Sequence, residues 1–192
     1  MLNQDQALDL FRKSGALLEG HFVLTSGRHS DRYVQCAQVL KYPDYTALLC
    51  EEIASRFKEE KIDLVIGPAM GGILVAYETA RHLGVMNLFA ERENGKMTLR
   101  RGFTLQPGEK VLVVEDVVTT GGSVQEVIDL VLRQGAEVVG VGVLVDRSGG
   151  KADFGVRKEA VITMEVPSWE PEICPLCKEG SKAVKPGSRG LK

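Results

Sequence analysis

The chain has 192 residues, of which 44% are hydrophobic, 26% charged and 6% aromatic, with a formal net charge of -2. A chain of this size buries roughly 70% of the surface its unfolded form exposes, so it needs no disulfide scaffold, and its charge balance sets aside a strongly basic nucleic-acid-binding module. The charged N-terminus MLNQDQALDLFRKSG lacks a signal-peptide apolar region, the longest apolar run (138–145) is too short to span a bilayer, and four cysteines without an export signal imply reduced thiols in the cytoplasm.

In chain order, residues 1–40 contain a short helix and two β-like runs, 21–24 and 33–37, separated by TSGRHSDR. They are expected to form a small hood on a larger core. Residues 44–61 predict a helix, with Leu48, Leu49, Ile53, Ala54 and Phe57 on its apolar face and Pro43 suited to its start. A β-branched run, 62–66, stops at Gly67-Pro68 as a buried strand does. The helical stripe Ile73, Leu74, Tyr77, Ala80, Leu83 follows, then a cap at Gly84 and a strand over 85–90. The alternation repeats with strand 111–114, a polar loop and a helix over 123–134. Val124, Val127, Ile128 and Val131 form its stripe, and Ser123 with Glu126 predicts a capping box. Strand 138–145 is apolar apart from its glycines, as expected when both faces are covered. Strands alternating with helices predict an α/β core with a central parallel sheet flanked by helices. The layout is a single domain over 1–192, with hood elements at 1–40, the core at 41–166 and an irregular Pro-rich tail at 167–192.

The chemistry concentrates in residues 111–123, VLVVEDVVTTGGS. An apolar strand delivers two adjacent carboxylates, Glu115 and Asp116, to its end. The small turn Thr119-Thr120-Gly121-Gly122-Ser123 then opens a helix. Glycines let backbone N–H groups converge on an anion, hydroxyls add donors, and a helix N-terminus adds partial positive charge. Carboxylates beside such a phosphate cradle need sugar hydroxyls, or a magnesium ion shared with phosphate oxygens, to hold. The chain has neither G-x-x-x-x-G-K-[ST] nor G-x-G-x-x-G at this turn.

This thirteen-residue segment resembles the signature of the type I phosphoribosyltransferases, which bind 5-phosphoribosyl 1-pyrophosphate (PRPP). Over about residues 10–147 the chain most resembles the orotate-using branch, through GHFVLTSGRHSDRY, GPAMGG and the Asp146-Arg147 pair. The resemblance implies transfer of the 5-phosphoribosyl group from PRPP to orotate, giving orotidine 5′-phosphate and pyrophosphate for pyrimidine (UMP) biosynthesis. It also implies Mg²⁺, held mainly by PRPP rather than directly by the protein, and a homodimer without nucleic-acid or membrane partners.

Position by position, the resemblance gives the ribose hydroxyls to Glu115 and Asp116, and the 5-phosphate to the turn. The PRPP set is Glu115, Asp116, Val117, Val118, Thr119, Thr120, Gly121, Gly122 and Ser123, with Met70, Gly71 and Gly72 at the pyrophosphate. Orotate falls to Thr119, Arg147 and the hood residues Thr25, Ser26, Gly27 and Arg28. Guanidinium donors suit its planar, anionic ring. The loop 91–103 (ERENGKMTLRRGF) is expected to close over the partner subunit's site, with Arg92 and Lys96 joining Glu115 and Asp116 as catalytic residues. The chain departs from the family pattern at four places: Thr25 and Gly71 stand where relatives carry Lys, Glu93 where a second basic residue is common, and the loop's usual His is missing. Two rival readings keep the fold, namely a transferase for another nucleobase and a non-catalytic PRPP-sensing regulator.

Cys174-Pro175-Leu176-Cys177 supplies half of a zinc site. Cys36 and Cys50 provide no second C-x-x-C, and His21, His29 and His82 lack H-x₃₋₅-H spacing. Completion across a dimer axis is conceivable, so no zinc is assigned. Nor is any role given to the histidines, which have no visible partner. Trp169 is expected to help pin the tail to the core.

Overall fold

The computed structural model describes residues 2–24 and 26–186. Helix α1 (Gln4–Lys13) opens on a reciprocal cap in which the Asn3 side chain accepts from the Gln6 amide and the Gln6 side chain from the Asn3 amide. Strands β1 (Leu17–Val23) and β2 (His29–Val34) form an antiparallel hairpin, the hood, and helices α2 (Ala37–Leu40) and α3 (Pro43–Arg56) follow. β2 begins at His29, inside the stretch expected to be loop, and Ala37 belongs to α2 rather than to a strand. Helix α3 ends at Arg56 rather than 61, because its apolar stripe stops at the fully buried Phe57 and polar residues lead on.

The core comprises β3 (Leu64–Pro68), α4 (Gly71–Leu83), β4 (Met86–Glu93), β5 (Lys96–Thr98), β6 (Lys110–Val118), α5 (Gly122–Arg133), β7 (Glu137–Asp146) and β8 (Lys158–Thr163). The sheet order is β5-β4-β3-β6-β7-β8, parallel except for the β4–β5 hairpin. Strands β5 and β8 have no counterpart in the periodicity reading. β5 is three residues long, and β8 (KEAVIT) begins with two charges, as a sheet edge does.

Two apolar clusters cover the two faces of this sheet. One joins α1, α3 and α4 to it through Phe11, Leu49, Ile53 and Val75, the other α5 through Val124, Val127 and Val131. Covering on both faces explains why β6 and β7 are almost continuously apolar. The glycines within β7 let α3 come close: a Cβ at Gly142 would lie 2.5 Å from the Ile53 Cγ2, and one at Gly140 2.6 Å from the Phe57 ring.

The tail is more ordered than its composition implies. A 3₁₀ turn (Pro171–Ile173) and helix α6 (Pro175–Lys178) lead to a bridge between Val184 and Phe22, and Trp169 bridges His29. The tail therefore rests on the hood, and Trp169 pins it there rather than to the sheet.

The packing at β7 predicts that Gly142→Val destabilises the fold by about 1–3 kcal/mol through overpacking against Ile53. Urea unfolding should show a lower midpoint with an unchanged slope. An unaltered midpoint would contradict the close approach of α3.

Candidate active site

Successive connections leave β3 toward β4 on one side and β6 toward β7 on the other, so the topology switches between β3 and β6. Crevices at such switch points, beyond the strand C-termini, are where open α/β sheets bind ligands. Two turns meet at this crevice: 69–70 from β3 into α4, and 119–121 from β6 into α5.

Strand β6 runs to Val118, four residues past the expected end, because β7 continues to pair with it through Val118 and Asp146. Pairing with β3 stops at Val113 and Ile66. The acid pair therefore lies within the strand, on the stretch that β3 leaves uncovered. Glu115 is 7% exposed, and its carboxylate accepts from the Asp116 amide at 3.0 Å. The Asp116 carboxylate accepts from the Val117 amide at 2.8 Å. Among the described residues neither acid has an ion-pair partner. Burial, then the neighbouring Asp116, push the Glu115 carboxyl up to about 9, and burial likewise raises Asp116. The pair thus holds a proton at neutral pH that an isolated carboxyl would have lost.

The β3–α4 turn explains the glycine at position 71. A Cβ there would overlap the Asp116 carboxylate, and one at Gly72 would sit 3.2 Å from the Glu115 Oε1. Where relatives place a lysine, this chain brings backbone against the acid pair. The Ala69–Met70 peptide is cis, and the Met70 side chain is 82% exposed.

On the other turn, Thr119, Thr120 and Ser123 line a cleft of about 320 Å³ together with Glu115, Arg92 and Glu126. The predicted capping box is absent. Helix α5 begins one residue earlier, its N-cap is Gly121 at φ 82°, and no side chain caps it. Glu126, the intended capping partner, instead pairs with Arg92 at 2.8 Å. The first-turn amides of α5 thus receive no side-chain acceptor of their own and face the cleft as donors for an anion. A Cβ at Gly121 would also strike the Phe154 ring at 2.6 Å, so glycine is required there on two counts.

Arg147 follows β7, its amide donating to the Val118 carbonyl at 2.8 Å. Its Nε is buried without a hydrogen-bond partner among the described residues, and burial lowers the guanidinium's pKa. The Cys36 thiol and the Tyr33 hydroxyl are titratable neighbours, placing the base of the hood beside it. An orphaned, half-buried guanidinium of this kind calls for an anion.

The hood loop behaves differently from its reading. Thr25 lies outside the described residues. Ser26 and Gly27 are exposed, and the Gly27 amide donates to the Leu24 carbonyl at 2.9 Å. The Arg28 guanidinium turns to the tail, donating to the Ser168 Oγ and carbonyl at 2.9 and 2.6 Å and pairing with Glu170. These bonds commit its side chain to the tail.

Residues 91–103 are a β4–β5 hairpin turned by Asn94 and Gly95 at φ 50° and 79°, followed by a loop. Arg92 reaches the cleft of its own chain. Lys96 lies away from that cleft, in a groove with Asp129 and Arg133. Arg100 and Arg101 pair with Glu93 and Glu91, leaving Lys96 as the segment's one cation without an ion pair among the described residues. Sequence reasoning missed Glu126 and Phe154 as parts of this site. Nothing in their local spacing marks the contacts they make across the fold.

The profile of the phosphoribosyl transferase domain matches residues 43–169. Over 190 residues the chain is 65% identical to the orotate phosphoribosyltransferase of Desulforamulus reducens, covering 99% of this chain and 100% of that protein. It is 58% identical over 184 residues to the orotate phosphoribosyltransferase of Thermotoga maritima, covering 96% and 98%. Among solved structures, the orotate phosphoribosyltransferase from Aeropyrum pernix matches with a TM-score of 0.66 at 30% identity, over 81% of this chain and 92% of that one. With this profile over its core and these relatives over nearly its full length, the chain belongs to the phosphoribosyl transferase family and, within it, to the orotate phosphoribosyltransferases.

Proposed function

We propose that this chain transfers the 5-phosphoribosyl group of PRPP to orotate, releasing pyrophosphate and forming orotidine 5′-phosphate. The observation that carries the reading is the buried acid pair without a cation, set beside an uncapped α5 at the switch point. Glu115 and Asp116 accept the ribose hydroxyls, while residues 119–123 cradle the 5-phosphate through backbone and hydroxyl donors. Met70, Gly71 and Gly72 hold the pyrophosphate. Orotate, already an anion, meets Thr119, Arg147 and the backbone of residues 25–28.

The C1–O bond to pyrophosphate breaks largely before the base nitrogen arrives, through an oxocarbenium-like state. The chain contributes alignment of two anionic reactants and exclusion of water, with no strong base required. Magnesium, held mainly by the phosphate oxygens of PRPP rather than by protein ligands, would offset charge on the leaving pyrophosphate. Arg92 stands at the cleft in the same chain, so its pairing with Glu126 must yield if it is to meet substrate.

The proposal extends to a homodimer in which the 91–103 segment serves the partner's site. It is supported by unpaired Lys96 and by the exposed apolar side chains Tyr42, Leu48, Leu74 and Tyr77 of the α3–α4 surface. The cytoplasm is the proposed setting, in keeping with four free thiols. A regulator reading and a transferase for another base lose ground to the anion-seeking Arg147 and to the retained catalytic cations.

Four outcomes test this reading. Loss of orotate absorbance should require both PRPP and magnesium. Asp116→Asn should cut kcat by a factor on the order of 10²–10³, and Arg147→Ala should raise the orotate KM about 10- to 100-fold, the range of one charged hydrogen bond. Mixing Asp116→Asn with Lys96→Ala should restore part of the activity through mixed dimers. Activity intact in Asp116→Asn, or no restoration on mixing, would contradict the assignment of acid and of partner loop respectively.

The acid pair also sets a pH dependence of stability. With the folded Glu115 carboxyl raised from 4.5 to about 9, its contribution is fully present below the lower value and lost as pH rises toward the upper. Glu115→Gln should therefore unfold at a higher temperature than the wild type at about pH 8 and similarly at about pH 4, each kcal/mol moving the midpoint by about 2–4 °C. Thermal scans giving parallel curves for the two proteins would contradict the buried proton.

A further inference from the structure

Outside the candidate site, four side chains converge that the sequence leaves unconnected. His21 stands on β1 and His29 on β2, while Cys174 and Cys177 bracket the start of α6. Their ligand atoms all lie within 4.8 Å of one another. The His21 Nε2 is 2.8 Å from the His29 Nδ1, 3.5 Å from the Cys174 Sγ and 3.8 Å from the Cys177 Sγ. Cys177 Sγ is 3.3 Å from His29 Nδ1.

Hydrogen bonding among these groups does not account for the arrangement. The His21 Nδ1 is 3.0 Å from the Ser181 carbonyl, which can only accept, so the proton sits on Nδ1 and the Nε2 is left with a lone pair. Three neighbours then crowd that single acceptor. A cation at the centre satisfies all four groups at once. A histidine whose second ring nitrogen donates to a backbone carbonyl is also the usual preparation for metal ligation.

We infer that His21, His29, Cys174 and Cys177 form a tetrahedral Cys₂His₂ site for one zinc ion within a single chain. Zn–S of about 2.3 Å and Zn–N of about 2.0–2.1 Å put tetrahedral S···N separations near 3.6 Å, in the middle of the spacings here. The two ring nitrogens need to part by about half an ångström to reach their tetrahedral separation. Two thiolates and two imidazoles suit zinc, and four protein ligands leave no open position, so the site is structural. Cys174 is fully buried and His21 nearly so, as a closed site requires.

The ion would fasten the tail to both strands of the hood. His21 and His29 flank the loop that carries residues 25–28, so the metal fixes the two ends of that loop. The tail's other anchors converge there: the His29–Trp169 bridge, the Arg28 bonds to Ser168, and the Ser30 Oγ donating to the Pro167 carbonyl at 2.7 Å. A consequence for orotate binding rests on the function proposed above. The metal content does not, and the two fail separately.

The full chain, purified reduced and without chelators, should carry close to one zinc by plasma mass spectrometry. The Cys174→Ser/Cys177→Ser double variant should fall to background. Should that variant fail to fold, wild-type protein stripped and reloaded with Co²⁺ alone gives the answer, since tetrahedral thiolate ligation produces sulfur-to-cobalt charge-transfer absorption and intense visible bands. A strong chelator should lower the wild type's thermal midpoint. Reduced protein that binds neither zinc nor cobalt in this way, or zinc retained in full by the folded double variant, would overturn the site.

Discussion

Two carboxylates sit side by side near the end of β6, largely withdrawn from water, and no cation among the described residues pairs with them. Burying such a pair opposes folding. The fold tolerates it by leaving a proton on the pair and by setting backbone amides against it. The amides of Asp116 and Val117 already donate to it, and Gly71 and Gly72 bring the β3–α4 turn against it. A side chain at position 71 would have to displace the Asp116 carboxylate. The site is thus prepared for a ligand that donates hydroxyls and brings its own cation.

The rest of the architecture keeps that pair in place. β6 lies between β3 and β7, and helices cover both faces, so its direction is fixed by two ladders and by packing on either side. The switch in topology leaves its last residues unpaired on the β3 side, which opens the crevice. Helix α5 then starts on Gly121, the residue that Phe154 and the left-handed backbone both require. With Glu126 drawn to Arg92, its first-turn amides face the same crevice as the acids. Anion donors and hydroxyl acceptors meet because two turns are forced together at one place in the sheet.

Much of this was legible in the chain. The alternation of periods located β3, β4, β6 and β7 and the helices between them to within a few residues, because buried strands and amphipathic helices leave strong local patterns. The segment 111–123 pointed to the crevice because its residue types have few other uses at a strand end. What escaped depends on partners distant in sequence. β8 is short and begins with charges. Ser123 and Glu126 have the spacing of a capping box, yet the Arg92 ion pair outcompetes the cap. Arg28 reads as a substrate residue until the tail, 140 positions on, supplies Ser168 and Glu170. The histidines at 21 and 29 pair across a hairpin, and their cysteine partners lie about as far away, so no spacing rule joins the four.

The tail closes on the hood and so on the loop for which orotate binding is proposed. Its composition of prolines, glycines and lysines reads as irregular. Short helical turns and isolated bridges to the hood give it order, the setting in which small elements gain most from a clamp.

The most direct test of the protonated acid pair as the ligand-ready centre is calorimetric titration of PRPP, already loaded with magnesium, at about pH 8 in buffers of different ionisation enthalpy. Binding should release protons from the wild type, because ribose hydroxyls and the accompanying cation favour ionised carboxylates, and the buffer dependence should vanish in Glu115→Gln. Tight binding with no proton exchange, or the same exchange in both proteins, would contradict it.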